Sequence, residues 1–302
     1  MTHYVCDLCG ADTPVEMPFT RRYLGTQALH ACGRCGLVYQ PDRRDWATLE
    51  HTFTKGYFED QIYIQTPATR ERQLRALRLL ETVGPFTGKR VVDVGAGEGE
   101  FLLAAQRRGN AVVGVEPSKV AAARANARGV SVHEGFFEEW ADTQPADTFD
   151  VATFIYVLET MTSPAAALRA CRRLLTRDGL VLVSTGNRLD YERFPFPLAR
   201  ILRRGVPREL HPYNWSVATL EAMLNVNGFT VVARDWREPK SLVLLARACE
   251  PYPLEDTVLD SAHRLKWYFR RWHFASYRLQ AAERLTRTLS RAAHAARGLS
   301  SR

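Results

Sequence analysis

Four cysteines near the start of the chain come as two pairs, Cys6-x-x-Cys9 and Cys32-x-x-Cys35, each followed directly by a glycine, Gly10 and Gly36. A Cys-x-x-Cys turn aims two thiolates at one point, and two such turns supply the four sulfurs of a tetrahedral zinc site. The glycines suit the positive φ of tight knuckle turns. Two disulfides or two dithiol redox pairs are the alternatives. Disulfides need an oxidising compartment, and the opening MTHYVCDLCG has no basic stretch followed by an apolar one. Zinc is the favoured reading. It is structural, because four thiolates leave no open position for a catalytic water. Cys171 and Cys249 stand alone.

A second constellation lies at residues 90–116. The β-branched run Arg90–Val94 leads into Gly95-Ala96-Gly97-Glu98-Gly99-Glu100, then a helical stretch, FLLAAQRRG, then a second strand, NAVVGVEPS. The glycines let a ligand approach the backbone closely, and the helix behind them presents free N–H groups. Glu116, 19 residues after Gly97, closes the second strand, where a carboxylate can accept from both hydroxyls of a ribose. The loop departs from the dinucleotide fingerprint G-x-G-x-x-G by placing Glu100 at the sixth position. Asp93 inside the first strand would repel a pyrophosphate, yet it suits a ligand carrying an ammonium and a sulfonium. The plainer alternative is an α/β domain whose glycines only pack a helix on a strand.

These residues need a framework. Leu74, Leu77, Leu80 and Val83 predict an amphipathic helix over Ala68–Val83, ended by Gly84-Pro85. Further strands are predicted at Val130–Glu134, Phe149–Ile155, 180–185, Gly228–Ala233 and Ser241–Ala248, with helices at Ser163–Leu175 and Ser216–Asn225. Seven strands interleaved with helices imply an α/β fold: a doubly wound, Rossmann-like sheet whose final pair is an antiparallel hairpin. The expected division is a zinc module over 1–45, a connector over 46–67, the α/β domain over 68–250 and a tail over 251–302.

The pattern acid-x-G-x-G-x-G, the acid closing the next strand and the later Phe149-Asp150 strand resemble class I S-adenosylmethionine-dependent methyltransferases, over about Arg70 to Ala248. The resemblance implies S-adenosylmethionine as methyl donor. It implies cofactor contacts from Asp93, Gly95, Ala96, Gly97, Gly99, Glu116, Pro117 and Phe154. Phe136 stands where many relatives carry an acid facing adenine, so Phe136 or Phe137 would stack on the purine instead. FDVATFIYVLET matches a motif that usually ends in Leu-Glu-His, with Thr160 at the His position. RELHPYNWSVATLEAMLNVNGF resembles the segment where a His often faces the acceptor, which here places His211, Tyr213 and Trp215. A four-cysteine module ahead of such a core resembles a bacterial group found with sugar, surface-glycan and natural-product biosynthesis, and the sugar C-methyltransferases, which carry a further carboxy-terminal domain.

Methyl transfer from a sulfonium is an in-line displacement, so alignment and exclusion of water matter most. A hydroxyl acceptor also needs a base, for which His211 is the first candidate, followed by Tyr156, Glu159 and Tyr213. His133 sits inside a strand and reads as structural. The expected function is methyl transfer to a small-molecule or glycan acceptor, at oxygen. An RNA methyltransferase and a cofactor-binding scaffold without turnover, which Thr160 favours, are the alternatives.

Of the 302 residues, 46% are hydrophobic and 25% charged, an ordinary globular balance with no apolar run long enough to span a bilayer. The net charge of +8 is unevenly spread: Ser261–Arg302 holds ten basic residues against Glu283, a net +9, leaving the first 260 at −1. Apolar residues in this tail recur at Leu265, Phe269, Trp272, Leu279, Ala282, Leu285, Leu289, Ala293 and Ala296, a helical spacing. Three readings follow. The helix docks on the body or on a second subunit; it lies on anionic lipid; or, with less support, it grips RNA. The expected location is cytoplasmic, at the inner membrane face under the second reading.

Overall fold

Five short strands surround the cysteines: β1 (Thr2–His3), β2 (Pro14–Glu16), β3 (His30–Cys32), β4 (Val38–Tyr39) and β5 (Asp42–Arg43). β2 pairs antiparallel with β3, the pair spanning the stretch between the knuckles, and β3 pairs with β4. β1 pairs with β5 separately. The structure, a computed structural model, describes residues 2–21, 28–43, 67–186, 211–235, 237, 241–254, 259–271 and 273–274. The connector before Pro67, the 187–210 stretch and the tail beyond 274 lie outside the described residues.

The main sheet is built from β6 (Arg90–Val94), β7 (Ala111–Glu116), β8 (Val132–Glu134), β9 (Phe149–Ile155), β10 (Leu175–Gly186), β12 (Phe229–Asp235) and β13 (Ser241–Ala248). Between them run α1 (Pro67–Glu81), α2 (Glu100–Gln106), α3 (Lys119–Ala127), α4 (Phe137–Asp142), α5 (Pro164–Leu174) and α6 (Val217–Val226). The strand order is β12-β13-β10-β9-β6-β7-β8, parallel from β10 to β8, with β13 antiparallel to both its neighbours. The seven-stranded doubly wound sheet and its closing hairpin are as expected. From β6 the chain steps outward to β7 and β8, then returns to β9 on the other side. That reversal opens a crevice at the carboxyl ends of β6 and β9, where open α/β sheets bind ligands.

Both faces of the sheet are covered, so alternate residues of one strand feed two cores. Val91, Val151, Leu182 and Leu245 pack on Leu77 and Leu80 of α1 and Phe101 of α2. Val92, Val94, Phe154, Val183 and Leu244 pack on Phe137, Leu168 and Leu220 from the other side. α4 buries Phe137, Trp140 and Ala141 at the spacing i, i+3, i+4, whereas α3 buries only alanines and has no large apolar stripe. α3, KVAAARANA, is instead started by Ser118, whose side chain accepts from Ala121 N.

One ion pair ties α1 to the sheet edge. Arg75 Nε donates to Asp235 Oδ2 at 3.0 Å, both side chains being almost fully buried, and Arg237 bonds the same carboxylate. Burial raises the Asp235 pKa, but the hydrogen bonds from Arg237 and Arg75 outweigh it and hold the carboxyl below its ordinary value. Its contribution is therefore present above pH ~4 and fades as pH falls further. Arg75→Met leaves a buried carboxylate with only the exposed Arg237, and should cost about 3 kcal/mol in urea unfolding at neutral pH. The deficit should shrink in acid, and a variant as stable as the parent would refute the account.

The cysteine module is not a separate body. β11 (Tyr213–Asn214), which follows the 187–210 stretch, joins the module's sheet against β4, Tyr213 opposite Tyr39 and Asn214 opposite Val38. Cys6, Leu8, Leu37 and Tyr39 share one core with Leu158, Met161, Tyr213 and Trp215. The carboxy-terminal helix, described from 262 to 271, buries Leu265, Tyr268 and Phe269 against Met17, Leu29, Ala31 and Val38 of the module. Docking on the body is thus what this first part of the tail does. Among the described residues no helix is long and apolar enough to cross a membrane.

Candidate active site

The glycine loop leaves β6 with Gly95, Gly97 and Gly99 all at positive φ, 68°, 53° and 77°. A Cβ on Gly95 would lie 2.3 Å from Val157 Cγ2, and one on Gly99 2.7 Å from Val130 Cγ2. So only glycine permits both the turn and its packing. Gly95 N and Ala96 N donate to the Val115 carbonyl at 2.8 and 3.2 Å, tying the loop to β7. At the end of β7, Glu116 accepts from Gly97 N at 2.8 Å through Oε2 and from Ser118 N at 2.9 Å through Oε1. Each carboxylate oxygen keeps a further lone pair. Glu116 therefore fixes the loop and can still receive a pair of vicinal hydroxyls.

Asp93 lies beneath the loop, 3% exposed, and accepts from Thr153 Oγ1 of β9 at 2.6 Å. Burial pushes its pKa up to about 7; the Thr153 hydrogen bond opposes the rise and the Glu116 charge adds to it. Burial likewise pushes Glu116 up to about 7, against the hydrogen bonds from Ser118 and Gly97. Two buried carboxyls beside one glycine loop favour a cation next to them. Pro117 connects Glu116 to the α3 cap, Ser118.

Across the crevice, the segment after β9 turns sharply. Tyr156 takes φ 61°, its backbone N bonds Ser184 O at 2.6 Å, and its hydroxyl meets Ser241 Oγ at 2.9 Å. The Arg72 guanidinium lies 4.1 Å from its ring centre. Glu159 is buried in the 3-10 turn Leu158–Thr160. The cysteine module holds the far side of this segment. Arg43 donates to Gln40 O at 2.7 Å, Thr162 O at 2.7 Å and the Tyr213 hydroxyl at 2.9 Å, lying between the Tyr4 and Tyr213 rings. Asp7, inside the first knuckle, accepts from Ser163 Oγ at 2.7 Å and Ala165 N at 2.8 Å at the start of α5.

In the knuckles all four sulfurs lie within 4.8 Å of one another, with Cys6–Cys35 and Cys9–Cys32 at 3.5 Å. These cysteines are free thiols, so the disulfide alternative does not apply. A metal–sulfur bond near 2.3 Å puts tetrahedral sulfurs about 3.8 Å apart, close to what the cluster shows. The cluster could hold a metal ion.

Residues 68–234, more than half the chain, match the family model described as a methyltransferase domain. The chain belongs to that family. Ubiquinone biosynthesis O-methyltransferase of Sodalis glossinidius is 39% identical over 121 residues, 38% of this chain and 48% of the relative. The Bordetella bronchiseptica protein of the same name is 35% identical over 149 residues, 47% and 61% of the two chains. The chain thus spans about half the length of the curated relatives it matches first. A Burkholderia thailandensis 1,6-didemethyltoxoflavin-N1-methyltransferase, solved with S-adenosylhomocysteine, shares the fold with TM-score 0.54 and 18% identity, over 71% of this chain and 96% of that one.

Within the methyltransferase domain, Asp93, Gly95, Ala96, Gly97, Gly99, Glu116 and Pro117 are brought together around one loop. Phe136 is half-buried and directly precedes α4. Phe137 and Phe154 meet edge to face at 5.7 Å, at 3% and 0% exposure, and belong to the core rather than to an open adenine face. Tyr213 is equally buried; it donates to Thr162 O at 3.0 Å and stacks on Trp215 at 5.6 Å. Burial drives its pKa further up, so the hydroxyl stays protonated and positions the segment instead of taking a proton. His211 is half-buried, two residues before β11. Sequence reasoning missed Thr153, Asp7 and Arg43. Only Asp7 carried a signal, a carboxylate inside a knuckle; the partners of Arg43 are 119 and 170 residues away.

Proposed function

We propose that the protein transfers a methyl group from S-adenosylmethionine to a small-molecule acceptor, at oxygen. The observation that carries this reading is Glu116 bonded to the glycine loop, with lone pairs left for a ribose diol and Asp93 behind it. Bound S-adenosylmethionine supplies a methyl group on a positively charged sulfur. Glu116 accepts from the ribose hydroxyls, Gly95, Gly97 and Gly99 admit the ligand against backbone, and Asp93 supplies negative charge to the cationic end. Phe136, half-buried at the start of α4, covers the adenine. Tyr156, locked by Ser184 and Ser241, shapes the wall opposite and excludes water. His211 takes the acceptor proton as its oxygen attacks. Transfer at oxygen is supported by the names of the curated relatives. The cysteine module ahead of the domain supports a glycan or natural-product acceptor. Four buried or half-buried thiols at tetrahedral spacing support one structural Zn2+ on Cys6, Cys9, Cys32 and Cys35.

Titration calorimetry with S-adenosylhomocysteine tests the cofactor reading. The parent should bind in the micromolar range, and Gly95→Arg, which drives a side chain into Val157, should abolish binding. Undiminished binding in that variant would refute the assigned site. Incubation with labelled S-adenosylmethionine and phenolic or glycosidic acceptors then tests turnover. His211→Ala should depress it at unchanged cofactor affinity, whereas cofactor binding without any transfer would favour a scaffold.

A further inference from the structure

Docking buries the apolar stripe of the described turns of the carboxy-terminal helix but leaves two large aromatic side chains facing outward. Trp267 is 50% and Phe274 62% exposed, while Leu265, Tyr268 and Phe269 are buried on the cysteine module. Trp267, Arg270, Arg271 and Phe274 follow each other at the spacing i, i+3, i+4, i+7, which puts them on one face. The Arg271 guanidinium lies 5.1 Å from the Trp267 ring centre. Phe274 packs edge-on against Phe19 of the module, centroids 6.2 Å apart, and Phe19, itself 38% exposed, stacks on His273 at 3.9 Å. Among the described residues, neither Arg270 nor Arg271 has a carboxylate partner. The exposed surface is therefore an aromatic ridge from module and helix together, set among unneutralised arginines.

A solvated helix face has no use for two half-exposed aromatics between arginines, and the buried stripe already explains why the helix forms. Charge complementarity calls for an anionic partner, since the segment 261–302 has only Glu283 among ten basic residues. Bulky aromatic side chains set beside arginines gain most at a boundary between headgroups and acyl chains. We propose that Trp267, Phe274 and Phe19, with Arg270 and Arg271, dock the protein on an anionic lipid bilayer. The aromatics enter the headgroup boundary and the arginines meet lipid phosphates. Because Leu265, Tyr268 and Phe269 are buried against the module, insertion at this ridge is shallow, and both the aromatic and the charged component are needed.

The test is co-sedimentation of the full chain with vesicles of phosphatidylcholine alone or with ~30% phosphatidylglycerol. The parent should bind the anionic vesicles and not the neutral ones, and binding should weaken with salt. Trp267→Ala with Phe274→Ala should weaken it about tenfold or more, and Arg270→Gln with Arg271→Gln comparably, with S-adenosylhomocysteine affinity unchanged in both. All four side chains point outward, so both variants should fold; far-UV circular dichroism checks this. No binding to anionic vesicles overturns the proposal, as does binding that survives loss of the aromatics. Two other outcomes overturn it equally: a single-stranded RNA that binds more tightly and is lost in the same variants, or a dimer that the aromatic variant dissociates.

Discussion

Cys32→Ser should unfold the amino-terminal module, loosen the 156–163 segment of the methyltransferase domain, and leave S-adenosylhomocysteine affinity within about twofold of the parent. Cys32 ends β3, the strand that bonds both β2 and β4. A module of this size has too little core to fold alone, and a zinc ion on four thiolates contributes about 10 kcal/mol or more to such a unit. Its loss would propagate along identified contacts: the β4–β11 pairing, the Gln40 N to Pro212 O bond of 2.9 Å, the Arg43 hub and the Asp7 cap of α5. The glycine loop is held by other partners, Val115 and Glu116, and should survive. Elemental analysis should find one zinc per chain in the parent and less in the variant. Hydrogen exchange should show protection lost over 156–163 and 211–216 but kept over 90–116. Full protection of 156–163 in metal-free protein would show that the module does not hold that wall.

The contrast between the two walls of the crevice explains what the sequence could reveal. The floor around Gly95 and Glu116 was legible because its chemistry is local: a strand, three glycines and an acid within about thirty residues obey one short-range logic. The hairpin β12–β13 was legible for the same reason, since its two apolar runs are adjacent in the chain. The opposite wall was not. Arg43 reaches Thr162 and Tyr213 across more than a hundred residues, and no periodicity marks such a pair. Tyr213 looked like chemistry because of its neighbour His211, yet it is a strand residue of the cysteine module's sheet. Phe137 and Phe154 lie near the loop in sequence, and only the folded chain shows them packed in the core. In the tail, helical spacing identified Leu265 and Phe269 as an apolar face but could not say what covers it. Spacing reports which residues share a face, while the partner of that face is a tertiary fact.

Glu116→Gln should weaken S-adenosylmethionine binding on the order of 100-fold, because two charge-assisted hydrogen bonds of ~1.5 kcal/mol each are lost. Glutamine is nearly the same size, but its NH2 must face either Gly97 N or Ser118 N, both of them donors, so the loop itself is disturbed. The same carboxyl sets a pH dependence. In the ligand-free fold Asp93 and Glu116 hold their protons up to about 7, from ordinary values of 3.8 and 4.5. With folded pKa values above the unfolded ones, the ligand-free protein should be most stable at the acid end of that interval and lose stability as pH rises through 7. A cationic ligand reverses the preference, since it favours both carboxylates in their ionised form. Binding should therefore tighten with rising pH and release protons, up to about two per site near pH 6 and almost none near pH 9. Calorimetry in buffers of different ionisation heat reads that number directly. Glu116→Gln should remove about one of the two protons, and Asp93→Asn the other. Proton release that is absent near pH 6, or identical in the parent and both variants, would mean that these carboxyls do not ionise when the ligand binds.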